Sequence, residues 1–444
     1  QEVILPLKKT QLYLEVGTTS MDIDLLWMQE IFRLPIKIKL FGKEDILFSL
    51  LDIDEKVNLY KLVQNLFEQE KFDNIDVNQF FHDLISLAIK KKSSDVHIET
   101  LGDGLVIRFR IDGAMVQILK FGFGLYPIVS SIIKIITNLD ISVKRFPQNG
   151  RFSQTIDDVD FDFRVSIMPI INGESIVVRI LNNSAQNTQL KHLGLDDVCL
   201  ERITHHIGQN QGLILVTGPT GSGKTTTMYA LLKKIKAEHK KIITLEEPVE
   251  YKLSGVCQIN INQDIGLGYA QALKDILRQD PDVIMIGEIR DAQTLQIALQ
   301  AALTGHLVIA TLHTNDAIST IDRLLDLDAM PYLIASTLSL VISQRLVRQL
   351  CTKCKINKDN TYHHQGCEHC HLTGFDSRLM ISELLLMTPY IQNNIKSGYD
   401  AQKIYTHCKQ NGFETLHENG MKKVALGQTT LHELKSVCKE HETV

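Results

Sequence analysis

Residues Gly218-Pro219-Thr220-Gly221-Ser222-Gly223-Lys224-Thr225 fit the spacing G-x-x-x-x-G-K-[ST] in full. Glycines at that spacing let backbone N–H groups point inward at an anion, and a helix opening at the same place adds about half a positive charge. Lys224 stands where an ammonium reaches β- and γ-phosphate oxygens, and Thr225 where a hydroxyl meets Mg2+. The ligand implied is ATP with Mg2+, held by all eight residues, with Thr225 as the magnesium ligand. An apolar run, Leu213–Val216, precedes the loop, and a helical pattern over Thr225–Ala237 follows it. Strand before and helix after is the setting this spacing needs.

A carboxylate stands in a related position. The run Val283-Ile284-Met285-Ile286 reads as a buried strand that ends on Gly287-Glu288. Open parallel sheets place ligands at the carboxyl ends of their strands. Glu288 would there orient the water shell of Mg2+ or the attacking water. Four of the eight cysteines form two further elbows, Cys351-x-x-Cys354 and Cys367-x-x-Cys370, twelve residues apart. In a reducing cytosol such pairs point to a tetrahedral four-cysteine zinc site rather than to disulfides. A site with four thiolate ligands is closed and therefore structural. It supplies folding energy of ~10–16 kcal/mol on small-peptide scales to a loop too polar to fold alone. His363, His364, His369 and His371 lie close by but are not expected as ligands.

The elements that must carry these groups change texture along the chain. From Leu190, apolar strand-like runs alternate with helical patterns: Leu213–Val216, Ile242–Leu245, Val283–Ile286 and Leu307–Leu312, with helices over Thr225–Ala237 and Ala292–Leu303. Alternation of this kind implies a mostly parallel sheet covered on both faces. Upstream, Asn78–Lys91 has helical periodicity. Val96–Ile98, Leu105–Arg110, Met115–Leu119, Phe161–Ser166 and Ser175–Leu181 read as short strands, with turns at Gly102-Asp103-Gly104 and Asp112-Gly113. This is an α+β domain, and polar Asn182–Gln189 follows it as a linker. The first 56 residues read as a small α/β module, with alternation over Gln11–Val16, a helix near Leu25–Phe32 and a strand near Ile36–Leu40; a helical stretch over Val57–Glu70 comes next. The chain opens on Gln1, as a fragment or trimmed chain would. The expected domains are 1–74, 75–189 and 190–444, the last including the zinc element 351–370 and a helical C-terminus.

Of 444 residues, 44% are apolar and 22% charged, which is ordinary for a soluble globular protein. The net charge of −5 offers no cationic field for nucleic acid, and no nucleic-acid partner is expected. The lysine clusters Lys90-Lys91-Lys92, Lys233-Lys234 and Lys240-Lys241 read as solvated faces. No apolar run reaches the ~18–20 residues that span a bilayer. The nearest, Ile128–Ile141, is interrupted by Lys134, Asn138 and Asp140. Nothing resembles a signal peptide. A cytoplasmic protein is expected, with membrane contact through partners.

With these motifs in view, the chain resembles the type II secretion and type IV pilus assembly ATPases. The resemblance rests on Ile243-Thr244-Leu245-Glu246-Glu247-Pro248-Val249-Glu250-Tyr251, Gly287-Glu288-Ile289-Arg290-Asp291, Thr304-Gly305-His306-Leu307 with Thr311-Leu312-His313-Thr314, and Ile342-Ser343-Gln344-Arg345-Leu346-Val347-Arg348-Gln349-Leu350-Cys351. Upstream it rests on Ser94-Asp95-Val96-His97-Ile98-Glu99, Arg108-Phe109-Arg110-Ile111-Asp112-Gly113 and Pro147-Gln148-Asn149-Gly150-Arg151. It implies an α/β, RecA-like P-loop ATPase core. A PAS-like α+β domain and a small N-terminal, partner-binding α/β module would precede this core. Glu250 then corresponds to the water-activating base, His306 and His313 to γ-phosphate sensors, and Arg151 and Arg164 to arginines that complete the site. Glu247 stands where the family usually has aspartate, and Asn149 where it often has aspartate. The resemblance also implies a homo-hexamer attached to the inner membrane through a platform protein and the cytoplasmic domain of a membrane assembly protein.

The leading reading is therefore a hexameric ATPase that powers pilus or pseudopilus assembly and protein secretion. The motifs are shared by the secretion, pilus-extension and competence machines. Three rivals each meet an objection. A retraction motor generally lacks the cysteine knuckle, a DNA-handling ATPase meets the negative charge, and an adaptor without turnover meets intact Lys224, Glu250 and Glu288.

Overall fold

The computed structural model describes residues 5–9, 14–18, 33–40, 56–59, 61–63, 74–102, 104–181, 189–358, 361–370 and 373–438. The expected helix near Leu25–Phe32, much of the stretch over Val57–Glu70, linker residues 182–188 and His371 lie outside them. By internal contacts the chain divides into two compact units. The first is 1–183 with 351–355 and 364–376; the second is 184–350 with 356–363 and 377–444.

The first unit opens with strands β1 (Leu5–Lys9), β2 (Leu14–Thr18) and β3 (Ile36–Leu40). β2 runs antiparallel to β1 and parallel to β3. Helix α1 (Asn74–Lys90) follows. Its apolar stripe Phe80, Phe81, Leu84, Ile85 and Ala88 is buried, as positions that recur on one helical face should be. Then come β4 (Ser93–Leu101), β5 (Gly104–Ile111), β6 (Ala114–Gly122), helix α2 (Tyr126–Ile136), β7 (Gln148–Ile156), β8 (Val159–Ile170) and β9 (Gly173–Leu181). They form one six-stranded sheet in the order β6-β5-β4-β9-β8-β7. Asp112 and Gly113 both have positive φ, 47° and 86°, the turn that closes a two-residue hairpin between β5 and β6. Core residues Val96, Ile107, Phe109, Phe163, Val165 and Val178 fill one sheet face. The apolar run that begins at Ile128 is helix α2, which packs against that core through Val129, Ile132 and Ile133.

The polar sheet face carries a row of charge. Arg151 on β7 stands opposite Arg164 on β8, and Arg164 opposite Arg179 on β9. Arg179 donates to Asp95 on β4 at 2.9 Å. Like charges directly across a sheet are destabilising. A row of three arginines is thus a feature that stability alone does not favour.

The second unit begins with α3 (Asp197–Ile207) and β10 (Gly212–Thr217). It continues through α4 (Lys224–Ile235), β11 (Ile242–Glu246), β12 (Cys257–Asn260), α5 (Tyr269–Ile276), β13 (Val283–Ile286), α6 (Ala292–Leu303) and β14 (Leu307–Leu312). Then follow α7 (Ser319–Asp326), α8 (Pro331–Thr337), β15 (Leu338–Leu350), β16 (Ile356–Lys358), β17 (Thr361–His363), β18 (Phe375–Leu386), α9 (Pro389–Gly398), α10 (Ala401–Gln410), α11 (Leu416–Ala425) and α12 (Leu431–Val437). Seven strands form one sheet in the order β12-β11-β13-β14-β10-β15-β18. Strands β12, β11, β13, β14, β10 and β15 are mutually parallel. Alternate residues enter two separate cores. Leu213, Leu215, Ile284, Ile286, Val308 and Ala310 face one side, and Ile214, Val216, Val283, Met285, Leu307 and Ile309 the other. Continuous apolar runs are what a sheet covered on both faces requires. Among the described residues, no helix is long and apolar enough to cross a membrane.

Candidate functional site

Register brings the chemistry to one edge of this sheet. Thr217 at the end of β10 pairs with Leu312 at the end of β14, and Leu245 on β11 pairs with Ile286 at the end of β13. The chain leaves these four strands as the loop 218–223, His313, Gly287-Glu288 and Glu247–Glu250. These segments line a single cavity of about 480 Å³ that includes Thr220, Gly221, Gly223, Lys224, Thr225, Glu246, Glu247, Glu250, Glu288 and His313. The cavity lies at the carboxyl ends of these strands, where open parallel sheets place ligands.

Lys224 opens α4 and donates to the carbonyls of Gly218 at 2.8 Å and Pro219 at 3.0 Å. Burial holds its ammonium below the ordinary lysine range; Glu288 opposes that shift and Arg345 adds to it. The next residue, Thr225, faces the same cavity. Glu288 is held from two sides, by Arg290 Nε at 2.8 Å and His313 Nε2 at 3.1 Å. Arg290 also bridges to Glu247 at 3.2 Å. His313 is lowered below the ordinary imidazole range, first by burial and then by Lys224, against the pull of Glu288. A neutral ring there donates one N–H to the carboxylate and carries no charge of its own.

Glu246 differs from its neighbours. It is buried and accepts from Thr244 Oγ1 at 2.6 Å, Gln258 Nε2 at 3.1 Å and the Tyr229 hydroxyl. Tyr229, buried on α4, in turn accepts the backbone N–H of Glu250 at 3.3 Å. Glu246 is thereby an anchor for the turn that presents Glu250 to the cavity. Sequence reasoning had not singled out Arg290, Tyr229, Tyr269 or Arg378, of which Arg290, Tyr269 and Arg378 line the cavity. Arg290 stands two residues beyond Glu288 in a motif already noted, so a signal existed; Arg378 comes from β18, far along the chain.

The two histidines part company. His313 is in the cavity. His306 lies before β14, at the opposite sheet edge, where its Nδ1 meets the Ala301 carbonyl at 3.0 Å and its own carbonyl accepts from Gly212 N at 3.2 Å. The strand between them carries six residues, so two histidines that bracket it must face opposite edges. Arg151 and Arg164 belong to the first unit and are neighbours in its cationic row.

The sulfurs of Cys351, Cys354, Cys367 and Cys370 all lie within 4.8 Å of one another. Cys351–Cys367, Cys354–Cys370 and Cys367–Cys370 are separated by 3.8, 3.7 and 3.8 Å. A tetrahedron with metal–sulfur legs of about 2.3 Å has edges of about 3.8 Å, so the cage fits zinc. Backbone N–H groups of Cys367 and Gly374 donate to Cys370 Sγ at 3.2 Å each. Neighbouring Asp376 accepts from Lys92 at 2.9 Å and contacts His369 at 3.0 Å, so the knuckle is fastened within the first unit. His369 is thus engaged by a carboxylate rather than by the cage.

The profile of the family described as Type II/IV secretion system protein matches residues 70–436. Among curated proteins, the Type II secretion system protein HxcR of Pseudomonas aeruginosa is 41% identical over 392 residues, 88% of this chain and 83% of that protein. The Type II secretion system ATPase E of Vibrio cholerae is 39% identical over 397 residues, 86% of this chain and 79% of that protein. Among solved structures, the pilus retraction motor PilT with bound ADP aligns with a TM-score of 0.57 at 28% identity, over 82% of this chain and 98% of that one. The Legionella pneumophila ATPase DotB aligns with a TM-score of 0.64 over 83% of this chain and 96% of that one; at 20% identity it speaks to the fold alone.

Proposed function

The chain belongs to the family of type II/IV secretion system proteins, and on that premise we propose that it is an ATP-hydrolysing motor for protein secretion or pseudopilus and pilus assembly across the bacterial envelope. The observation that carries this reading is the convergence of Lys224, Thr225, Glu250 and Glu288 on one cavity at the carboxyl edge of a parallel sheet. Phosphoryl transfer asks a protein mainly to position a nucleophile and stabilise charge, and this residue set does both.

Residues 218–225 would hold the phosphates, with Lys224 leaving the Gly218 and Pro219 carbonyls to meet them. Thr225 and Glu288 supply the oxygens that suit Mg2+, which would neutralise phosphate charge when bound. Glu250 takes the proton of the attacking water. His313 and Arg290 orient Glu288, and a neutral His313 can report on the charge that arrives beside it. Arg151 and Arg164 supply planar cationic forks during turnover. Cys351, Cys354, Cys367 and Cys370 hold a structural zinc. The working form is a homo-hexamer at the cytoplasmic face of the inner membrane, attached through a platform protein and the cytoplasmic domain of a membrane assembly protein. The domains proposed are 1–74, 75–189 and 190–444.

The test is steady-state phosphate release by the purified protein with Mg-ATP, beside Lys224→Ala. Turnover abolished in a folded Lys224→Ala protein supports the reading; turnover at the parent rate removes it.

A further inference from the structure

We propose that Gln344 is a positioning residue for the phosphate loop, one that fixes the direction in which the Gly223 N–H points. This inference rests on the reading of residues 218–225 as the phosphate loop.

Strand β15 pairs with β10 so that Ser343 lies beside Thr217. Gln344 therefore meets the loop where it leaves the sheet. Its side chain is fully buried. A buried amide is stable only when its donor and acceptor are both used, and here both go to the loop and its helix. Nε2 donates to the Ser222 carbonyl at 2.7 Å, and Oε1 accepts from Thr227 Oγ1 at 2.9 Å. The approach is close. A Cβ on Gly218 would meet the Gln344 carbonyl oxygen at 2.5 Å, and one on Gly223 would meet Gln344 Nε2 at 3.3 Å. Glycine is thus required at both places by their φ of 145° and 86° and by the nearness of Gln344.

The consequence follows from the peptide itself. In a planar trans peptide, C=O and N–H point in opposite directions. Ser222 and Gly223 share one peptide. Holding its carbonyl against Gln344 turns its N–H the other way, into the concavity where a phosphate oxygen would sit. Without the amide, this peptide is free to rotate, and one donor of the cradle is lost. The bond to Thr227 ties the same amide to the first turn of α4, so loop and helix are set together.

The test measures binding of a fluorescent ADP analogue, together with KM and kcat for ATP, on the whole chain. Gln344→Met keeps the bulk and removes both bonds. ADP affinity should fall about tenfold, the size of one lost cradle donor, with KM rising in proportion and kcat within about twofold. Thr227→Val removes only the helix-side bond and should leave affinity within about twofold of the parent. Gln344→Leu likewise removes both bonds; it provides the same test if Gln344→Met does not fold, and should bind ADP at least as weakly. Parent-like affinity in either Gln344 variant overturns the inference, as does an equal loss in Thr227→Val, which would mark mere packing. Lys224→Ala separates this idea from its premise. ADP binding retained there removes the phosphate-loop reading itself. ADP binding lost there, beside a parent-like Gln344→Met, removes the Gln344 role alone.

Discussion

A single ammonium illustrates how the site is poised at the scale of the residue. Lys224 spends its hydrogen bonds on two loop carbonyls, at 2.8 and 3.0 Å, rather than on a core partner. Lys224→Ala should therefore abolish nucleotide binding or turnover while leaving the melting temperature nearly unchanged; calorimetry beside a phosphate-release assay checks both halves. Glu250 and Glu288 invite a different substitution. Gln conserves shape and removes charge, so Glu250→Gln and Glu288→Gln should retain ATP binding and lose turnover by ~10²–10⁴-fold, the usual share of a positioned acid–base group. Parent-rate hydrolysis by either variant would strike that residue from the mechanism. Because Glu288 also anchors Arg290 and His313, its variant should disturb nucleotide affinity more than the variant of Glu250 does.

At the scale of the element, two features join segments distant in sequence. Glu383 on β18 accepts the backbone N–H groups of Ala317, just before α7, and of Leu416, at the start of α11. Burial pushes its carboxyl up to about 7 in spite of those donors. The folded form thus holds a proton that the unfolded chain releases near the ordinary 4.5. The sign follows: stability from this group is complete below about pH 4.5 and is lost as pH rises toward 7. Between about pH 5.5 and about pH 8 the parent should lose about 2 kcal/mol that Glu383→Gln does not lose. Equal pH slopes in chemical denaturation of the two proteins would contradict this. The cysteine knuckle is the second feature. Its sulfur spacing of 3.7–3.8 Å predicts one zinc per chain. Metal analysis of protein purified without chelator should give close to one equivalent, and less than about half an equivalent would count against the site.

For the whole molecule, the division into two units shapes the expected behaviour. The phosphate loop and both acidic elements belong to the second unit, and Arg151 and Arg164 to the first. On the proposed function, those arginines answer charge that develops during hydrolysis rather than the charge of bound ATP. Arg151→Ala and Arg164→Ala should each lower turnover by ~10²-fold or more while changing ATP affinity little, in keeping with arginine fingers worth ~10³–10⁵ elsewhere. With the proposed homo-hexamer as the working form, specific activity should also rise with protein concentration. Full activity in a dilute monomer, read by mass photometry beside the assay, would overturn the proposed hexameric working form.

Much of this protein is legible in the order of its residues. The motif Gly218–Thr225 announced its own strand and helix, because a phosphate cradle needs both. The runs Val283–Ile286 and Leu307–Leu312 became strands with those bounds, since a sheet buried on both faces leaves a continuous apolar record. The cysteine elbows were equally legible, because metal ligands must recur at elbow spacing. The row Arg151–Arg164–Arg179 was not, because cross-strand register leaves no mark in the order of residues. Nor was the separation of His306 from His313, which depends on the direction a strand runs. Glu246 stands in one motif with Glu247 and Glu250, and only its enclosure by Thr244, Tyr229 and Gln258 sets it apart. Gln344 and Ser222 are separated by more than a hundred residues and meet only because β15 lies beside β10. Local patterns record what a segment needs from water and from its own backbone. Partners drawn from distant segments are chosen only when the sheet closes.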